Sequence, residues 1–376
     1  MESLARTFDA FVASALPPAL AAPHQLDILR EVLDYYPATL STTLGFESRL
    51  AEAAGQVDVA IRIDGKARNQ LAALRAPQAP DRTAGWQYIL AFAARWSDPQ
   101  SKVSERIPHV WLEIDAKRLD KAAGAIPSLF CAVQGLDDLS AAEAIDWISE
   151  SMVNTALGRP LSADARANAI RCVEALPAHA ALWQIGLMPS RHFEGLRLCI
   201  RDVEIAEVEP ILAHLGLSGA KEALMQSPPG LLGLPSHVFL DLDVGDELGQ
   251  NVGIECYFRS DRLLEDWPPR SLDRFLDELV NLGLCSDAKR QGLREWQQED
   301  LILQRHHPDL WPTHLQRTAS FLGPSYVGAL LRGVNHLKLT LADGQIQTAK
   351  AYFGIIHEWV TRLDGRIQDK TAGPQS

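Results

Sequence analysis

The sequence predicts an α+β chain whose core is a closed, ten-stranded antiparallel β-barrel wrapped by helices and built from five ααββ repeats. Three observations carry this. Short segments with the same polar–aliphatic alternation recur: HVWLEID at 109–115, HVFLDLD at 237–243, HLKLTL at 336–341 and DVAIRID at 58–64. Most have a second strand-like segment within hairpin reach, and stretches with helical spacing separate one hairpin from the next. A string of antiparallel hairpins leaves two open edges, and closing the sheet removes both.

In chain order, helical stretches at 3–15 and 24–36 precede a first hairpin near 43–64. Helices at 66–77 and 83–97 precede the second, near 108–133, where PSLFCAV follows the HVWLEID strand. Helices at 140–157 and 162–175 start at the N-cap serines Ser140 and Ser162 and lead to a third hairpin near 181–201. Helices at 204–216, kinked or shortened by Pro210, and 219–226 lead to the fourth, near 236–258. Helices at 271–285, 286–304 and 312–332 precede the fifth, near 335–353, whose turn Ala342-Asp-Gly344 carries a strong hairpin dipeptide. A short C-terminal helix is expected near 355–366. All of this describes residues 1–376 as one barrel domain.

The strands have unlike faces. Val110, Leu112 and Ile114, then Val238, Leu240 and Leu242, then Leu337, Leu339 and Leu341 make apolar stripes that suit an outer coat of helices. The opposite faces carry His, Trp, Glu, Asp and Lys, the lining of a ligand-holding lumen. Alternation does not show which face of the third hairpin points inward.

Composition narrows the function classes. The 376 residues include 36 Lys or Arg and 48 Asp or Glu, a formal net charge of −12. Such a chain is a poor general partner for nucleic acid or anionic lipid. Five cysteines at irregular spacing, with no C-x-x-C pair, suggest reduced thiols and a cytoplasmic setting. The apolar N-terminal stretch is interrupted by Glu2 and Asp9, unlike a secretory signal. No apolar run reaches the roughly 18 residues of a membrane span.

Several residues resemble a known pattern. The strand ending in Asp243 followed by Glu255-Cys-Tyr257, the Lys350-Ala-Tyr352 element and the early Arg62 are similar to the strand motifs of the ABBA-type aromatic prenyltransferases, a family of five-repeat ααββ barrels (PT-barrels). The resemblance covers most of the chain in repeat pattern. It implies a transferase that moves an isoprenoid from an allylic diphosphate to an aromatic or peptide acceptor inside the barrel, in natural product biosynthesis. It implies Arg62, Lys338 and Lys350 at the diphosphate, with Tyr257 and Tyr352 hydrogen-bonding it and shielding the carbocation. Trp111 and Phe239 would line the acceptor site, and Glu47 would take the acceptor's proton. No metal ligand set and no cofactor is implied; magnesium is compatible but not required, and no DDxxD motif occurs.

The chain also departs from that pattern. Glu255 stands where a lysine is expected, and the second hairpin offers no basic residue. Lys350 and Tyr352 can equally form structural pairs with lumen acids, Arg62 can bridge Asp64 or Asp115, and Trp111 and Phe239 can fill a core. These departures leave open a binding module on the same barrel, accessory to peptide maturation. His109, His237 and His336 occupy equivalent repeat positions; they form a hydrogen-bonded rim more readily than a metal site, whose ligands must converge on one ion. A metal-assisted hydrolase, and a phosphatase built on Asp241-Leu-Asp243, are the weaker alternatives. The loop cluster His306, His307, Asp309 and His314 reads as solvated. Trp86, Trp96, Trp296 and Trp311 read as packing.

Overall fold

The structure is a computed structural model that describes residues 2–52, 55–75, 80–116, 125–189, 193, 195–258, 270–297, 301–304, 308–363 and 366–368. Its strands are β1 (Thr43–Arg49), β2 (Val57–Asp64), β3 (His109–Ile114), β4 (Ser128–Ala132), β5 (Ala181–Leu187), β6 (Leu196–Val203), β7 (His237–Val244), β8 (Leu248–Tyr257), β9 (Leu301–Leu303), β10 (Tyr326–Ala342), β11 (Gln345–Leu363) and β12 (Arg366–Gln368). The order β1-β2-β3-β4-β5-β6-β7-β8-β10-β11 returns to β1, and every pairing is antiparallel. Ten strands therefore close a barrel, and no edge of that ring is left open.

Period-two alternation explains the two layers. On β2, Val57, Val59, Ile61 and Ile63 are all buried toward the helices, while Asp58, Ala60, Arg62 and Asp64 point the other way. Helices from each αα segment cover that outer face, among them Pro23–Asp34, Pro80–Ser97, Ala163–Glu174, Ile205–Leu215 and Arg270–Asn281. The core is the shell between barrel and helices. Trp86, Trp96, Trp296 and Trp311 are fully buried in it, and Trp96 Nε1 donates to the Ile107 carbonyl at 2.7 Å. All five cysteines are buried and unbridged. Among the described residues no helix is long and apolar enough to cross a membrane.

Three expected helices are corrected. The one expected over 286–304 stops at Trp296, and Leu301–Leu303 is instead the short strand β9, paired with Ala329–Leu331 of β10. The helix expected over 312–332 ends at Leu322, where Gly323 takes a left-handed φ of 79°, and β10 begins at Tyr326. The C-terminal helix expected near 355–366 is the second half of β11. Val327, Leu330, Leu331 and Val334, and likewise Ile355, Ile356, Trp359, Val360 and Leu363, have spacings that suit a helix as well as a strand. Each segment is the other's pairing partner, as in Val327↔Val360 and Leu331↔Ile356, so the ladder decides. The fifth hairpin therefore overhangs one end of the barrel. Pro210 neither breaks nor displaces its helix, which runs Ile205–Leu215 and starts with a Glu204–Glu207 capping box.

Candidate functional site

The lumen holds a cavity of about 700 Å³, within the usual range for small-molecule sites. Its mouth lies where β1, β3, β7 and β10 enter the barrel and where the β10–β11 overhang adds Leu331, Gly333, Gly354 and Ile356 to the lining. Seven of the eight residues expected from sequence line it: Glu47, Arg62, Trp111, Phe239, Tyr257, Lys338 and Tyr352. The eighth, Lys350, lies beside the lining, with Nζ 2.7 Å from Glu47 Oε1.

One wall is aromatic. His237 stacks on Tyr257 at 4.7 Å, Tyr257 meets His336 at 4.9 Å, and His336 stacks on Tyr352 at 4.3 Å. These four rings come from four neighbouring strands at one register level, His237↔Tyr257↔His336↔Tyr352. Phe239 extends the wall at 4.6 Å from Tyr257, and Trp183 and His109 continue it round to β3. Trp183 could not be assigned a side from sequence, because a β-bulge between Leu182 and Gln184 turns both Trp183 and Gln184 into the cavity. The three repeat histidines all line the cavity, separated from one another by Trp183, Phe239 and Tyr257. Burial and the nearby Arg62 lower the His109 pKa to about 4; burial and Lys338 lower that of His336 to about 3. Neither carries charge at neutral pH. Among the described residues no group of three or more metal-ligating side chains converges.

The ionic groups are matched in pairs. Lys338 and Lys350 stand directly opposite each other on β10 and β11, a repulsive placement. They reach in opposite directions around the barrel. Lys338 Nζ meets Asp241, with Glu255 Oε1 at 3.7 Å, while Lys350 turns to Glu47. Burial works against the charge on Lys338, but Asp241 and Glu255 outweigh it and the pKa is raised. Gly253 makes the reach possible, since a Cβ there would lie 2.7 Å from Lys338 Cε and 2.9 Å from Asp241 Cβ. Arg197 forms a two-pronged bridge to Asp243 at 2.7 and 2.9 Å. Arg62 NH2 lies 3.1 Å from Asp64 at the mouth. The structural alternative stated for Lys350 and Arg62 is thus present: each has an acid partner.

The adjoining wall, from β1 to β3, is acidic. Glu47, Asp58, Glu113 and Asp115 all line the cavity, with Gly45 and Ala60 leaving open space between them. Glu47 Oε2 accepts from the Tyr352 hydroxyl, as Glu255 Oε2 does from Tyr257 at 2.9 Å. Burial, with those carboxylates close by, raises both tyrosine pKa values well above the usual, so both phenols remain protonated donors. Asp58 faces Glu47 across the β1–β2 ladder. Its pKa is raised to about 6, first by burial and then by Glu47 and Asp115. The sequence signal for Asp58 was its inward parity with Arg62, two repeats of the alternation away. His306 and His307 lie outside the described residues; His314 is partly buried against β11 rather than solvated.

No family model and no curated protein matches the chain. Among solved structures, 5-dimethylallyltryptophan synthase from Streptomyces coelicolor superposes over 94% of both chains, with 10% identity and a TM-score of 0.43.

Proposed function

We propose that the lumen is a reaction chamber in which an isoprenoid passes from an allylic diphosphate to an aromatic acceptor, free or on a peptide. The observation that supports this best is that the aromatic wall of Phe239, Tyr257, His336 and Tyr352 and the carboxylates Glu47 and Asp58 line one cavity. Ring faces and carboxylates both favour a positive charge between them, and a closed barrel keeps water from capturing it. In this reading Tyr257, His336 and Tyr352 shield the allylic cation, and Trp111 and Phe239 hold the acceptor ring. Lys338 and Arg62 meet the diphosphate, and Lys350 fixes Glu47. The test is incubation with dimethylallyl, geranyl and farnesyl diphosphates and a panel of indoles, phenols and Trp- or Tyr-containing peptides. A product heavier by one isoprenyl group, with diphosphate released, is expected. No product and no change in melting temperature with any millimolar diphosphate sinks the reading.

One observation favours a second reading. Lys338, Lys350, Arg197 and Arg62 each already have a carboxylate partner, and a diphosphate must displace it. A module that binds an aromatic side chain without transfer requires no displacement. Saturable calorimetric binding of an aromatic peptide, alongside no binding of any allylic diphosphate, selects this second reading.

A further inference from the structure

We infer that Asp58, rather than Glu47, is the catalytic carboxylate that takes the proton from the acceptor, an assignment that rests on the transferase reading above. The two side chains face each other on β1 and β2 and both line the cavity. Their oxygens are occupied differently. Glu47 has a donor on each oxygen, Lys350 Nζ on Oε1 and the Tyr352 hydroxyl on Oε2. Asp58 has Oδ1 fixed by the Ala116 N–H at 2.7 Å, and among the described residues no hydrogen bond reaches Oδ2. A general base needs a lone pair within hydrogen-bond reach of the proton it takes. Asp58 offers one from a side chain already oriented; Glu47 would first have to give up a donor.

The surroundings suit that role. Among the described residues, Glu47 and Arg49 on β1 and Asp115 just after β3 act on Asp58, together with the Ala116 N–H. Burial and the two acids raise its proton affinity; Arg49 and the N–H work against them. A carboxylate tuned to about 6 is ionised at neutral pH yet a better proton acceptor than an ordinary aspartate. Glu47, held by Lys350 and Tyr352, remains as fixed negative charge beside the cation.

The step balances as follows. The allylic C–O bond breaks and its electron pair leaves with the diphosphate. A π pair of the acceptor ring forms the new C–C bond. The ring C–H at that carbon then breaks; its electron pair restores the aromatic ring and its proton goes to Asp58 Oδ2. Asp58 returns the proton to water before the next turnover.

The experiment is a pH–rate comparison on the intact chain once a donor–acceptor pair that turns over is in hand. For wild type, kcat/KM should rise with pH through a limb near 6. Asp58→Asn should lower kcat by at least about 100-fold with little change in donor KM, and should abolish that limb. Glu47→Gln should keep the limb, displaced to lower pH by loss of the Glu47 charge, and act mainly on KM. Asp58→Asn activity within threefold of wild type with the limb intact overturns the assignment, as does loss of the limb in Glu47→Gln instead. If Asp58→Asn does not fold, Asp58→Glu replaces it, with a rate loss and a displaced limb expected; an unmoved limb counts against Asp58. Absence of wild-type turnover with every donor fails the transferase reading and takes this assignment with it.

Discussion

The lumen has two walls made by different means. From β7 through β11 the wall is a ladder of rings, His237, Tyr257, His336 and Tyr352, held at one register level by direct strand pairing. From β1 to β3 it is a set of carboxylates whose partners come from elsewhere: Lys350 for Glu47, and the Ala116 amide for Asp58. The ring wall follows from local alternation repeated in neighbouring strands. The acid wall depends on which distant strand the barrel brings alongside. A wall of the first kind tolerates single changes, because each ring loses only its own contacts. One of the second kind fails when a partner is removed.

The largest effect should come from the buried pair at the deep end. Asp241→Asn strips the main partner from Lys338 and should lower unfolding free energy by about 3–5 kcal/mol, read by urea denaturation. Replacing Asp241 and Lys338 together by apolar residues of similar size should restore most of that loss; if the double variant is as unstable as the single, the pair is not the cause. Next comes pH. His109 and His336 have folded pKa values below the ordinary 6.5, so the unfolded chain binds more protons. Their contribution is fully present above about 6.5. It is lost as pH falls toward 4 and 3, by up to about 1.4 kcal/mol per pH unit for each histidine. Asp58 has the opposite sign: its folded pKa is raised, so its penalty is present above about 6 and fades as pH falls toward 3.8. Asp58→Asn should therefore stabilise the protein at pH 8 by roughly 1–2 kcal/mol and leave stability at pH 4 nearly unchanged. Thermal melts across pH for wild type and the two histidine-to-phenylalanine variants separate these terms.

Smaller effects should mark the ring wall. Tyr257→Leu loses ring contacts on both sides, worth about 0.5–1.5 kcal/mol each, and leaves Glu255 without its phenol donor. Gly45→Val should change stability least. A Cβ there meets Trp111 and Ala60 at ordinary distances of 3.4 and 3.5 Å, yet the added methyls occupy the cavity. Weaker binding of any lumen ligand at nearly unchanged melting temperature is the expected result. A large drop in melting temperature would mean that this wall is packed core instead of open space.

The repeat count, the hairpins and the unlike faces of each strand were legible without the fold. Alternation is set by the backbone pleat and needs no knowledge of the partner, which is why Val110, Leu112 and Ile114 could be placed outside and Trp111 and Glu113 inside. Seven of the eight expected site residues reach the cavity for the same reason. Three things were settled only by tertiary structure. The fate of 326–334 and 355–363 was open because their apolar spacing fits either element, and mutual pairing chose the strand. The inner face of β5 was hidden because a bulge shifts the alternation at Trp183, and a bulge leaves no signature in a two-residue period. Which acid each inward group takes was not readable, because Lys338 meets Asp241 across 97 residues and the Tyr352 hydroxyl meets Glu47 across 305. Whether an inward lysine remains available to a ligand or is taken up by an acid depends on barrel closure and register, which no local stretch of sequence encodes.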